Sequence, residues 1–92
     1  MSKYTKKPVA VEAFRFGFET YPDWFIEKVK DNHVIIYADK KNHSLSSFLI
    51  IRTGKIGGDT TGIFGDYIIQ DVYGEINRCN PEIFEKTYEP VN

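Results

Sequence analysis

The chain has 92 residues, with 12 Lys and Arg against 13 Asp and Glu and a formal net charge of −1. That length predicts one domain over 1–92, since domains usually run to about 100–150 residues, and the lack of a basic excess argues against a partner as long and as charged as extended DNA or RNA. Hydrophobic residues at 41% and aromatics at 15% are too many for a disordered chain.

The predicted elements follow in chain order. Lys7 to Phe16 alternates at period two, with Val9, Val11 and Ala13 on one face and Ala10, Phe14 and Phe16 on the other, and reads as a strand. Gly17 breaks it. Thr20 offers an N-cap, Asp23 an acid in the first turn and Pro22 an early proline, so a helix is expected from there to Asp31-Asn32. Trp24, Phe25 and Val29 form its apolar stripe, with Glu27, Lys28 and Lys30 facing outward.

His33 to Ala38 is a short β-rich run and Asp39 to Asn42 a turn. Leu45 to Thr53 is the next strand, and its Phe48-Leu49-Ile50-Ile51 run predicts a central position buried on both faces. Gly54 to Gly65 carries five glycines in twelve residues and reads as irregular. Asp66 to Val72 and Glu75 to Cys79 form a hairpin around Tyr73-Gly74, with Asp71 and Glu75 as its solvated acids and Asp66 as a turn residue. Asn80-Pro81-Glu82 opens a second, short helix, whose inner face is assigned to Ile83, Phe84, Thr87 and Tyr88. The count is about five strands and two helices. The fold class is α+β: a small curved antiparallel sheet or half-barrel with one packed helix and a short C-terminal helix.

Few residues point to catalysis or metal. One cysteine, Cys79, allows no internal disulfide and no cluster of Cys ligands, which fits a reducing compartment. Cys79 reads as a small buried apolar residue, because its neighbour Arg78 points to the opposite face of a strand. His33 and His43 are the only histidines and belong to no ligand spacing, so no metal and no cofactor are expected. The first residues, Met1 to Pro8, are basic with no apolar run behind them, and no apolar stretch reaches bilayer length. A cytoplasmic, non-enzymatic protein with no membrane partner is the expectation.

The glycine-rich segment is the strongest candidate site. Gly57, Gly58, Thr60 and Thr61 offer backbone amides and hydroxyls, and Arg52 and Lys55 flank them with positive charge. Tyr67 and Tyr73 offer rings for stacking on a base. These eight residues are the expected contacts for a small phosphorylated ligand. The plain alternative is a long hairpin between two strands. No Gly-Lys-Ser/Thr ending or following helix makes the segment a P-loop. Fourteen aromatics in so short a chain also predict exposed rings and a homo-oligomer.

Gly65-Asp66-Tyr67-Ile68-Ile69, Val72, Gly74-Glu75, Cys79, Pro81, Ile83-Phe84-Glu85 and Thr87-Tyr88-Glu89-Pro90 resemble the C-terminal signature of a family of small phage and prophage proteins of Gram-positive bacteria. Lys7-Pro8-Val9, Val11 to Phe14 and Pro22 to Phe25 resemble the first half of the same family. Residues from about 33 to 63 match poorly. Phe64 stands where the family tends to have Pro, and Asp71 where it tends to have Gly. The function of that family is largely unknown, so the resemblance implies a setting: an accessory protein in the cytoplasm of an infected host. By analogy it implies an anti-defence role, as an oligomeric sponge for a nucleotide-type host signal. Its alternatives are a protein–protein inhibitor or structural accessory on a host or virion protein, and a small nucleotide hydrolase.

Overall fold

Alternation of apolar residues builds the strands, and the register between them shows which face each side chain takes. In the computed structural model, which describes residues 2–5, 9–37, 47–52 and 58–91, the order is β1 (Glu12–Arg15), α1 (Asp23–Lys30), β2 (Val34–Tyr37), β3 (Phe48–Ile51), β4 (Thr60–Ile63), β5 (Tyr67–Gln70), β6 (Ile76–Cys79) and α2 (Pro81–Thr87). The fold is α+β, as expected. Its strands form two open three-stranded antiparallel sheets, β1-β5-β6 and β2-β3-β4.

In the second sheet, Ile36, Leu49 and Gly62 lie opposite one another, as do Val34, Ile51 and Thr60. These rows face the core: Val34, Leu49 and Ile51 are buried. In the first sheet, Phe14 pairs with Ile68, and both are buried. Phe16 and Phe25 join them in a single hydrophobic cluster, with Trp24, Val29, Ile36 and Ile76 packed at its margin. Each fully buried Phe, Leu or Ile contributes roughly 1.5–3 kcal/mol by leaving water. Helix α1 carries Phe25 into this core, 4.7 Å from the ring of Phe14.

Several expected boundaries move. The first strand begins at Glu12 rather than near Lys7; residues 6–8 lie outside the described ones, and Val9 to Val11 precede the ladder. Pro22, not Thr20, occupies the N-cap of α1, and no side chain caps that end. The helix stop is better marked than its start. Asn32 takes a left-handed φ of 63°, its amide donates to the Val29 carbonyl, and the His33 amide reaches back to the Lys28 carbonyl at 2.9 Å. This paired arrangement satisfies the last carbonyls of the helix.

Strand β3 is central, as expected, but its burial alternates: Leu49 and Ile51 point inward while Phe48 is exposed. Thr60 to Ile63, read from sequence as irregular, forms β4, a strand beyond the five expected. Gly62 fits that strand because it faces the core. A Cβ there would meet Leu49 Cδ1 at 3.0 Å. The turn expected at Asp39 to Asn42 lies outside the described residues, as do His43, Lys55 and Gly57.

Helix α2 is capped as expected. The Asn80 carboxamide oxygen accepts from the Glu82 amide at 2.9 Å, with Pro81 in the first turn. Phe84 of this helix stacks on Tyr67 of the sheet at 3.9 Å, and Tyr88 extends the stack at 4.9 Å from Phe84. Ile83 points to solvent rather than inward. Cys79 is half-buried rather than fully so.

Candidate functional site

The helix stop and two strand ends assemble a basic wall. The His33 amide is held by the Lys28 carbonyl, and the Arg52 amide donates to the His33 carbonyl at 2.7 Å. Two backbone hydrogen bonds thereby set Lys28, His33 and Arg52 beside one another, from the end of α1, the start of β2 and the end of β3. Lys28, His33 and Arg52 line one groove of about 310 Å³.

The opposite wall is the β5–β6 hairpin, which supplies Tyr73, Gly74, Glu75 and Asn77. Its turn is rigidly specified. The Asp71 amide donates to the Glu75 carbonyl and the Gly74 amide to the Asp71 carbonyl, both at 3.0 Å. The Asp71 carboxylate accepts from the amides of Tyr73 at 2.8 Å and Glu75 at 3.0 Å. Gly74 supplies the left-handed residue, φ 83°, that this kind of hairpin turn needs. Tyr73 stands out from it with 88% of its surface exposed. Val34, Ile51 and Ile76 form the apolar floor.

Among the described residues, the side chains of Lys28, Arg52, Glu75 and Asn77 make no hydrogen bond or ion pair. The groove therefore presents unspent donors on one side, an acceptor on the other, and a ring at its rim. It has the makings of a small-ligand site: an apolar floor with a few convergent polar groups.

Of the eight residues expected from sequence, the structure brings Arg52 and Tyr73 into this groove. Gly58, Thr60 and Thr61 do not line it. Thr60 begins β4 in the row of Val34 and Ile51. Thr61 is exposed on the other face of that strand, and its carbonyl accepts from Arg78 Nε at 3.2 Å. Tyr67 is stacked on Phe84 and lies 5.8 Å from the Arg15 guanidinium, so its ring is engaged within the fold. Lys55 and Gly57 fall outside the described residues. Lys28, His33, Glu75 and Asn77 were not singled out as ligand contacts by sequence reasoning. Only the left-handed Asn32 between Lys28 and His33 hints at their closeness, and the hairpin opposite them has no local signal.

A second surface feature lies on the outer face of β2-β3-β4. Tyr37, Phe48 and Ile63 are opposite one another across the three strands and all exposed. The Tyr37 and Phe48 rings stack at 4.9 Å.

No helix among the described residues is long and apolar enough to cross a membrane. No group of three His, Cys, Asp or Glu among them is placed to hold a metal ion. No protein-family model, curated protein or solved structure matches the chain.

Proposed function

We propose that the chain is a non-enzymatic binding protein for a small phosphorylated, nucleotide-type ligand, held in the groove between the Lys28–His33–Arg52 wall and the Tyr73 hairpin. The observation that carries this reading is the meeting of Arg52 and Tyr73, 21 positions apart in sequence, at one groove beside Lys28. Guanidinium and ammonium groups suit phosphate oxygens. An exposed ring on a fixed turn suits a base. The site proposed here differs from the Gly57–Thr61 cradle expected from sequence: Arg52 and Tyr73 remain, Lys28 joins them, Gly58, Thr60, Thr61 and Tyr67 drop out, and Lys55 and Gly57 lie outside the described residues.

The resemblance to phage accessory proteins supports a sequestering role in the host cytoplasm, where binding without turnover removes a nucleotide signal from use. Self-association belongs to the same reading and is supported by the uncovered Tyr37–Phe48–Ile63 row. The row carries no charge, and an uncharged row of this kind can meet its own copy across a two-fold axis.

The test is calorimetric titration with a panel of linear and cyclic nucleotides, followed by heat release and identification of the ligand. Intact ligand is expected. Arg52→Ala and Lys28→Ala are each expected to weaken binding by about tenfold or more, since a charged hydrogen bond contributes roughly 1.5–3 kcal/mol. Effects below threefold for both variants overturn the phosphate assignment, and chemically altered ligand overturns the non-enzymatic one.

A further inference from the structure

We infer that the groove selects a guanine mononucleotide, an inference that rests on the phosphate reading above and adds the identity of the base. Size is the first argument. A groove of about 310 Å³ lies at the low end of small-ligand sites, which run from about 300 to 1,000 Å³, and has room for one nucleoside monophosphate.

Polarity is the second. With phosphate against Lys28 and Arg52 and the base against Tyr73, the group left for the base edge is Glu75 on the hairpin side. It is not spent on another described residue. An ionised carboxylate only accepts hydrogen bonds and has two oxygens to do so. It therefore calls for two donors side by side. Guanine presents such a pair, its ring N1–H and its exocyclic N2 amine. Adenine and cytosine present one exocyclic amine on that edge, and uracil one ring N–H. Glu75 is also a poor neighbour for phosphate. Its presence in the groove sets the direction of the ligand, with the base toward the hairpin and the phosphate toward the helix stop.

The experiment compares GMP, IMP, AMP, CMP and inorganic phosphate by titration against the whole protein and against Glu75→Gln, with Glu85→Gln on α2 as a charge-matched control outside the groove. GMP is expected to bind at least tenfold more tightly than AMP or CMP. IMP, which lacks the N2 amine, should fall between. Glu75→Gln should bring GMP to within threefold of AMP, and Glu85→Gln should leave the preference intact. Equal affinity for GMP and AMP overturns the guanine inference while leaving the phosphate reading standing. So does a rise in affinity for both nucleotides in Glu75→Gln, which would make Glu75 merely a repulsive charge. Binding of none of these ligands overturns both.

Discussion

Arg78 holds Asp66 across the gap between the two sheets. Its Nε lies 3.3 Å from the Asp66 carboxylate, of which only 3% of the side chain is exposed, and it also donates to the Thr61 carbonyl at 3.2 Å. The same carboxylate oxygen accepts from the Ile63 amide at 3.0 Å. One buried acid thus ties the end of β4 to β6, where no strand ladder among the described residues joins the sheets. Asp66→Ala leaves the Ile63 amide and the guanidinium without their acceptor and should cost about 1–3 kcal/mol in urea unfolding. Asp66→Asn keeps an acceptor and should cost less. Equal losses from the two would mean that the hydrogen bond to Ile63 contributes nothing.

Gly17 is required for two separate reasons. Its φ is 92°, and a Cβ on it would lie 2.4 Å from the Phe64 ring. Phe64 in turn packs on Phe18 at 5.0 Å, so its ring has to leave that contact to make room. Gly74 has a similar φ, 83°, but open space around it. Gly74→Ala should therefore cost about 1–2 kcal/mol, the backbone term alone. Gly17→Ala should add about 1–3 kcal/mol of overpacking to it. Thermal or urea unfolding of the pair reads the difference, and equal losses would show that Phe64 gives way freely.

Tyr21 links stability to alkaline pH. Burial raises its phenol above the ordinary tyrosine value, because its ring sits 5.0 Å from that of Phe25 and 5.6 Å from that of Phe14. A raised folded-state value means that the neutral phenol is favoured in the native chain. Its contribution is complete below about pH 10, the unfolded value, and is lost as the pH climbs from there through the folded value. Unfolding free energy should fall over that window, and Tyr21→Phe should flatten part of the fall. A variant with an unchanged alkaline profile would place the effect on other tyrosines.

The α+β class and the central place of β3 were legible because Val34 to Tyr37 and Phe48 to Ile51 are dense in β-branched and aromatic residues. The cap of α2 was legible because Asn80-Pro81-Glu82 is a local signal whose partners lie within three residues. Strand β4 was not. Its Thr-Thr-Gly-Ile reads as loop composition, and Gly62 makes sense only once Leu49 is known to lie opposite it. The site divided in the same way. Arg52 and Tyr73 stand out as a cation and a ring. Their meeting depends on the β5–β6 hairpin standing opposite the end of β3, and that packing has no trace in local pattern. Asp66 was read as a turn residue because its partner Arg78 is twelve positions away, across a hairpin.

Asp71 offers a way to test the groove without touching its ligand contacts. Its carboxylate accepts from the Tyr73 and Glu75 amides and does not line the groove, so it acts by holding the hairpin tip. Both hydrogen bonds are solvent-exposed, and each should contribute about 0.5–1.5 kcal/mol to stability. Asp71→Ala should therefore lower unfolding free energy by about 1–2 kcal/mol and leave the fold intact by circular dichroism. If the hairpin is the wall against which the base rests, the same variant should weaken nucleotide binding several-fold and leave inorganic phosphate binding unchanged, because the Lys28–His33–Arg52 wall is built from other strands. Asp71→Asn keeps an acceptor oxygen for the two amides and should recover most of both losses. A variant that loses stability but binds the nucleotide as tightly as the parent would separate the hairpin from the ligand, and confine the site to the basic wall.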